Sequence, residues 1–427
     1  MDSVRSRTSV LRALAAAALL TAALTGCAGS SDAHATGPGV TKEPCPNAVN
    51  KKNGCIYLGI ISDLTTGPFK DLGGPMTQAE QKFWQRVNQQ GGIKGYDVDV
   101  VTYVRDNRYD IEVHRRAHNE IKGKVLALAQ TLGSPMTDAI LPDLRSSKMI
   151  AVPASWASKW DAEDVILESG ASYCYEAMNA IDYTSQRTRL KKVMSVHYPG
   201  DYGGDAAAGA QIAAKAHDLT FTDVEVVQGE PQAGITAILA QKPDLVIVTT
   251  GPADAATIVG ESVSSGYDGR FFGSNPTWDK TLLKNRAARA LKARYLQTAP
   301  WKPFATDSPG HTAMRAALGS VDPNDNYTSG WVSSYPLKAV LQKAAENKDL
   351  TREGLLEALK QTSVVDYEGM LPSAAGNFSG DANTSAFRQS VINRPDDREF
   401  TGIKVISDFM AGPTARTHRF TGNCQQK

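Results

Sequence analysis

Short apolar runs alternate with stretches of helical spacing along most of the chain. Runs at 56–61, 98–104, 125–131 and 149–152 predict buried strands, and 77–89, 111–121 and 138–146 predict the helices between them. The pattern then repeats, with strands expected at 192–198, 224–227, 245–250 and 270–273 and helices at 206–216, 232–240 and 253–264. Continuous apolar strands separated by helices indicate parallel sheets covered on both faces. Two successive sets indicate an α/β fold of two Rossmann-like lobes, since a chain of 427 residues exceeds one core. A last region predicts helices at 329–347 and 352–361, the second capped by Thr351. A Gly/Asn/Ser-rich stretch at 374–385 follows, then strands near 387–392 and 403–406.

The N-terminus carries a different signal. Arg5, Arg7 and Arg12 precede an apolar stretch at 14–24, shorter than the ~20 residues of a spanning helix, so residues 1–27 predict a secretory signal. It ends in Leu24-Thr25-Gly26-Cys27, which resembles the bacterial lipobox. There the cysteine sulfur is alkylated with diacylglycerol, and two acyl chains suffice for stable anchoring. The expected location is therefore the extracytoplasmic face of a membrane. Residues 28–54 are expected to form a tether, its first part being Gly, Ser, Ala and Asp with little to bury. The formal net charge is +1, of which the signal's three arginines and Asp2 supply +2. No basic patch dominates, which argues against nucleic acid as a partner.

With Cys27 set aside, four cysteines remain for an oxidising compartment. Cys45 and Cys55 bracket a turn-rich loop and are expected to pair, contributing about 2–3 kcal/mol in the chain-entropy model. Cys174 and Cys424 then pair by elimination or remain free thiols. No metal site is expected, because nothing completes a tetrahedral set around any two cysteines. No nucleophile elbow, phosphate loop or paired catalytic carboxylates appear, so neither an enzyme nor a cofactor is expected. His114 and His118 share a helical face, but flanking Arg115, Arg116 and Glu120 predict a solvated surface there.

Local chemistry concentrates where strands end. The strand at 125–131 runs into Gly133-Ser134-Pro135-Met136-Thr137, and serine followed by proline reads as an N-cap and first helical residue. That opening leaves N–H groups free to receive a carboxylate. The strand at 245–250 runs into Gly251-Pro252-Ala253-Asp254, the same device. Ligands of open α/β sheets bind outside the carboxyl ends of strands, so these two helix openings, facing across a cleft, suggest a clamp.

Residues 56–107 contain Gly59-Ile60, Leu64-Thr65-Thr66-Gly67-Pro68, Val87-Asn88, Gly91-Gly92-Ile93-Lys94-Gly95 and Asp106-Asn107. They strongly resemble the opening of the leucine/isoleucine/valine-binding protein family, the substrate-binding proteins of branched-chain amino-acid ABC importers. The resemblance continues through Gly133-Ser134, Val152-Pro153-Ala154-Ser155, Asp201-Tyr202-Gly203, Phe272-Gly273 and the helix around Trp331 and Tyr335. It implies a periplasmic-binding-protein-like type I fold with a three-crossover hinge, no enzymatic activity, and ABC permease subunits as partners. Crossovers near 173–176, 297–301 and 387–393 assign 55–174 with 301–388 to lobe 1 and 175–300 with 389–427 to lobe 2. Cys174 and Cys424 then lie close enough to staple the hinge.

The resemblance also implies ligand contacts at Phe69, Asp71, Ser134, Ser155, Trp156 and Tyr202, with Thr250 and Gly251 lining the cleft from lobe 2. Where amino-acid receptors of the family place an acid for the ammonium, this sequence has Asn275, and a small shift in alignment moves the role to Asp279 or Asp254. An amide binds an ammonium less well than a carboxylate does, which weighs against an α-amino acid. Phe69, Trp156, Tyr202 and Trp278 suggest a hydrophobic or aromatic carboxylate instead, with Trp160 and Trp331 read as packing. A lipid-anchored importer receptor is thus the expected function, and a ligand sensor that transports nothing is the alternative.

Overall fold

The computed structural model describes residues 35–425. The signal and Cys27 lie outside the described residues. The chain opens with β1 (Ala35–Thr36), β2 (Val40–Thr41) and β3 (Gly54–Ser62), then alternates α1 (Lys70–Gln89), β4 (Tyr96–Asp106), α2 (Ile111–Ile121), β5 (Ala127–Leu132), α3 (Ser134–Ser147) and β6 (Ala151–Ala154). Strands β4, β5 and β6 extend a parallel sheet from β3, with β2 antiparallel to its start. A buried helix, α4 (Tyr173–Ser185), then carries the chain to the second lobe.

There β7 (Lys192–His197), α5 (Asp201–Ala216), β8 (Thr220–Glu225), α6 (Gln232–Gln241), β9 (Leu245–Thr249), α7 (Pro252–Ser264), β10 (Arg270–Gly273), α8 (Ala288–Arg294) and β11 (Tyr295–Ala299) follow. The chain returns to the first lobe with α9 (Pro309–Leu318), α10 (Asp325–Glu346), β12 (Asp349–Leu350), α11 (Arg352–Lys360) and α12 (Ala382–Ser385). It closes on β13 (Ser390–Pro395), β14 (Ile403–Met410) and α13 (Pro413–Thr417) in the second. The second sheet runs β14-β13-β11-β10-β9-β7-β8. Its first two strands are antiparallel additions, so the expectation of parallel sheets becomes one parallel core with a mixed edge. Two α/β lobes are the architecture the apolar pattern predicted, and the three crossings between them are what the resemblance implied.

Several elements depart from the reading of the sequence for physical reasons. Helix α1 starts seven residues before the expected 77, because Gly73, Gly74 and Pro75 read as breakers yet lie within it. A Cβ at Gly73 would meet the Asp63 carbonyl oxygen at 2.2 Å, so glycine there allows helix and strand to approach. Helix α4 buries every residue from Tyr173 to Thr184, which erases the amphipathic period that would have revealed it. The expected tether is corrected from residue 35 onward. Strand β1 pairs with β12 and β2 with β3. The Asp97 carboxylate accepts from the Val49 and Asn50 N–H groups and from the side chains of Asn50 and Asn53. That network and the Cys45–Cys55 disulfide fasten the segment to the body.

The histidine pair is also corrected. His114 and His118 are buried, His114 between Asn107 and Thr131 and His118 against Asp143 at 2.7 Å. Burial lowers both pKa values, His114 to about 3, so His114 is neutral at physiological pH. Their helix turns this face inward under the sheet, and the charged neighbours that suggested solvent occupy the other side.

Cys174 and Cys424 form the second disulfide. The Cys424 N–H donates to Ser158 Oγ at 3.0 Å, and Asp205 of α5 accepts from Ser158 and from the Cys174 N–H. The C-terminal segment is thereby tied to both sides of the first crossing. Among the described residues no helix is long and apolar enough to cross a membrane, and no group of three or more His, Cys, Asp or Glu is placed to hold a metal.

Candidate functional site

The carboxyl ends of β3, β5 and β6 face those of β7 and β10, and a central cavity lies between them. It is lined by Phe69, Leu72, Tyr109, Leu132, Gly133, Ser134, Ala154, Ser155, Trp156, Tyr173, Tyr202 and Pro276, with no charged side chain in the set. Its rings brace one another. Phe69 meets Tyr109 with centroids 4.8 Å apart, Tyr173 meets Tyr202 at 4.8 Å, and Trp156 rests edge-on against Trp301 at 4.8 Å. The Trp156 indole N–H donates to the Ser169 carbonyl, and the Tyr202 hydroxyl pairs with Ser274 at 2.8 Å. Burial pushes both tyrosine phenols, 173 and 202, well above their ordinary pKa, so both stay neutral donors.

The polar element of the cavity is the start of α3. Ser134 was expected as the N-cap, but Gly133 takes that position at φ +99°, and Ser134 begins the helix. A Cβ at Gly133 would meet Met136 at 2.6 Å and Tyr109 at 2.8 Å, so the site requires glycine. Displaced from capping, the Ser134 hydroxyl is 3% exposed and has no protein partner. A buried hydroxyl without a partner costs about 1–3 kcal/mol, an outlay that a ligand's acceptor would recover. Ser155, beside it, already accepts from the Trp160 indole N–H at 3.2 Å.

Tyr109 was not anticipated. It holds φ +55°, next to Arg108 at +52°, and two consecutive non-glycine residues there are costly. Asp106 and Asn107 support the turn by accepting the Arg108 and Tyr109 N–H groups. Nothing in its composition marks Tyr109 as special; only the end-of-strand position is a signal.

The central cavity is narrow, with about 30 Å³ open to the centre of a water-sized sphere, room for about two waters. Phe69, Leu72 and Pro276 also belong to an outer groove of about 480 Å³ by the same measure. Pro68, Pro252, Ala253, Ala256, Trp278 and Leu282 give the groove apolar walls, with Asp71, Asn275, Asp279 and Arg286 among its polar members.

The structure therefore brings Phe69, Ser134, Ser155, Trp156 and Tyr202 together around the central cavity. It places Asp71 and Asn275 on the outer groove, Asp71 exposed and paired with Lys70 at 2.8 Å. Thr250 and Gly251 line neither space; the Thr250 hydroxyl donates to its neighbour's carbonyl at 3.2 Å. Of the alternatives to Asn275, Asp254 is engaged by Tyr198 and the Gly229 N–H, and Asp279 caps Thr281. Trp331 and Trp160 are buried packing, and Trp278 stacks on Tyr295 while also lining the groove.

Residues 56–391 match the model of a family described as periplasmic binding protein. A fatty acid ABC transporter substrate-binding protein from Thermomonospora curvata superposes with a TM-score of 0.82 at 28% identity, over 92% of this chain and 99% of that one. A branched chain amino acid ABC transporter protein from Thermus thermophilus, solved with valine, gives 0.74 at 18% identity over 85% and 98%. A leucine binding protein from Thermotoga maritima gives 0.68 at 16% identity over 84% and 99%. No curated protein matches the sequence.

Proposed function

The chain belongs to the periplasmic binding protein family, and from that premise we propose that it captures a hydrophobic carboxylate with an extended acyl chain for an ABC importer. It is a substrate-binding protein of the ABC-transporter type. The ligand reading rests chiefly on one observation: an uncharged aromatic cavity with the partnerless Ser134 hydroxyl adjoins, at Phe69, Leu72 and Pro276, a larger groove with apolar walls and polar residues among its lining. A carboxylate at the start of α3 would accept from Ser134 and from the helix's free N–H groups, while an apolar tail would run along the groove. The likeness to a fatty acid ABC transporter protein supports that assignment. The absence of an acid from the cavity lining weighs against an α-ammonium group.

In this reading the ligand bridges the lobes and shifts the hinge equilibrium toward the closed form, which the permease subunits recognise. Diacylglycerol on Cys27 would hold the receptor at the extracytoplasmic face of the membrane. A thermal-shift series of straight-chain carboxylates against leucine, isoleucine, valine and aromatic acids tests the ligand class. At a hundred times its Kd a ligand adds about 2.7 kcal/mol, and the straight-chain acids should supply the shift. Stabilisation by branched-chain amino acids with no response to acyl carboxylates would overturn the reading.

A further inference from the structure

An acid, Glu176, is buried outside the cavity lining, three residues along α4 from Tyr173, which belongs to that lining. It sits in the first turn of α4, where the chain first crosses between the lobes. It is 2% exposed, and neither carboxyl oxygen has a hydrogen-bond partner. Its surroundings offer no cation and little compensation beyond the nearby Thr298. Tyr173 on its own helix and Tyr202 on α5, both lining the central cavity, lie within its electrostatic reach. Thr298 on β11 is beside it and favours the ionised form, and Glu168, on the segment before α4, is a second buried acid whose own pKa is raised by burial and by its acidic neighbours, Glu176 among them. No Lys, Arg or His is among these groups.

We infer that Glu176 sets the charge preference of the ligand site: neutral, it admits an anionic head to the cavity, and ionised, it excludes one. This rests on the carboxylate reading proposed above. A cavity without cations cannot neutralise a bound carboxylate, so a second negative charge buried behind Tyr173 and Tyr202 repels it. Burial raises the Glu176 pKa to about 8, so the proton is retained through neutral pH and lost just above it. Capture of a carboxylate is thereby linked to retention of one proton by the receptor. Affinity falls as pH rises through that value and is level well below it.

The test is a calorimetric pH series with straight-chain alkyl carboxylates and alkyl sulfonates, both ionised throughout, and an alkyl alcohol of equal length. If only the neutral receptor binds anions, wild-type Kd for both anions weakens about tenfold from pH 7 to pH 9, and the alcohol shows no such trend. Glu176→Gln, which stays neutral and keeps the side chain's shape, is expected to bind the anions with less than twofold change over that range. A flat wild-type profile, or the same slope in Glu176→Gln, overturns the inference while leaving the acyl-carboxylate site standing. If no anion of any length binds at any pH, the underlying ligand reading is what has failed. Asp205 and Asp161, raised to about 7 and about 8, titrate in the same window, so if Glu176→Gln does not fold, Glu176→Ala takes its place and the same loss of slope is required of it.

Discussion

The starts of α3 and α7 look alike in sequence: a buried strand, a glycine, then a proline within two residues. In space they do different things. At the start of α3 the N-cap Gly133 takes φ +99°, Ser134 becomes the first helical residue, and its hydroxyl is left without a partner beside the cavity. At the start of α7 the N-cap Gly251 is extended at φ −70°, Pro252 is the first helical residue, and the hydroxyl before it is already satisfied. The third side chain of that turn, Asp254, is engaged by Tyr198 and Gly229. What the first turn of a helix can offer a ligand therefore depends on which side chain is placed first and on whether its hydrogen bonds are already made. The apparent pair becomes one polar anchor in lobe 1 and one apolar wall, through Pro252 and Ala253, in lobe 2.

The largest expected effect comes from reversing the chemistry at the start of α3. Ser134→Asp puts a negative charge where the ligand carboxylate is proposed to sit, and close like charges cost several kcal/mol. Affinity for acyl carboxylates should fall by a factor on the order of 100, while a neutral alcohol of equal chain length should lose much less. A thermal melt without ligand separates this from misfolding. Equal losses for both ligands would place the carboxylate elsewhere. Ser134→Ala is milder. It removes one donor to a charged group, a change of about 1.5 kcal/mol or roughly tenfold in Kd, and it should leave the unliganded protein slightly more stable because the unpaired hydroxyl is gone. Unchanged carboxylate affinity would remove the anchor from this helix.

The contrast between the two helices also shows how far the sequence could be read. Both strand–glycine–proline junctions were visible, because β5 and β9 are wholly buried, largely apolar runs and proline announces a first turn. Their inequality was not visible, since a residue's place in a helix's first turn depends on the backbone dihedrals of the glycine before it. The same limit hid Tyr109, which reaches the cavity only because two successive residues hold positive φ. It hid α4 as well, whose uniform burial left no period to detect, and with it the setting of Glu176. Long-range pairing was more legible. Four cysteines beyond Cys27 left few pairings open, and both disulfides join the expected partners. The apolar rhythm gave the two lobes, whereas the antiparallel edge of the second sheet depended on which strands β11 meets, a tertiary matter.

A substitution on the lobe 2 wall sharpens the comparison from the other side. Ala253 is exposed on the outer groove. Ala253→Trp should fill that groove with little disturbance to the core. If the groove takes the ligand's tail, long-chain carboxylates should bind about fivefold more weakly, a loss on the order of 1 kcal/mol. Carboxylates of one or two carbons should be unaffected, since they are too short to extend along the groove. A loss that does not depend on chain length would mean that the tail takes another path.

The smallest effect is expected at Thr250. Its hydroxyl is buried and donates to the Gly251 carbonyl, within the same turn. Thr250→Val keeps the branched shape and deletes that hydrogen bond, leaving the carbonyl short of one partner. The cost should appear in stability, at about 1 kcal/mol, which for a protein of this size is a fall of a few degrees at most in Tm. Ligand affinity should stay within twofold, because the side chain lines neither the cavity nor the groove. Denaturant unfolding and calorimetric titration of the same preparation separate the two quantities. A loss of affinity as large as that of Ser134→Ala would restore the symmetric clamp. It would mean that closure brings the start of α7 onto the ligand, and that the difference between the two helices does not survive binding.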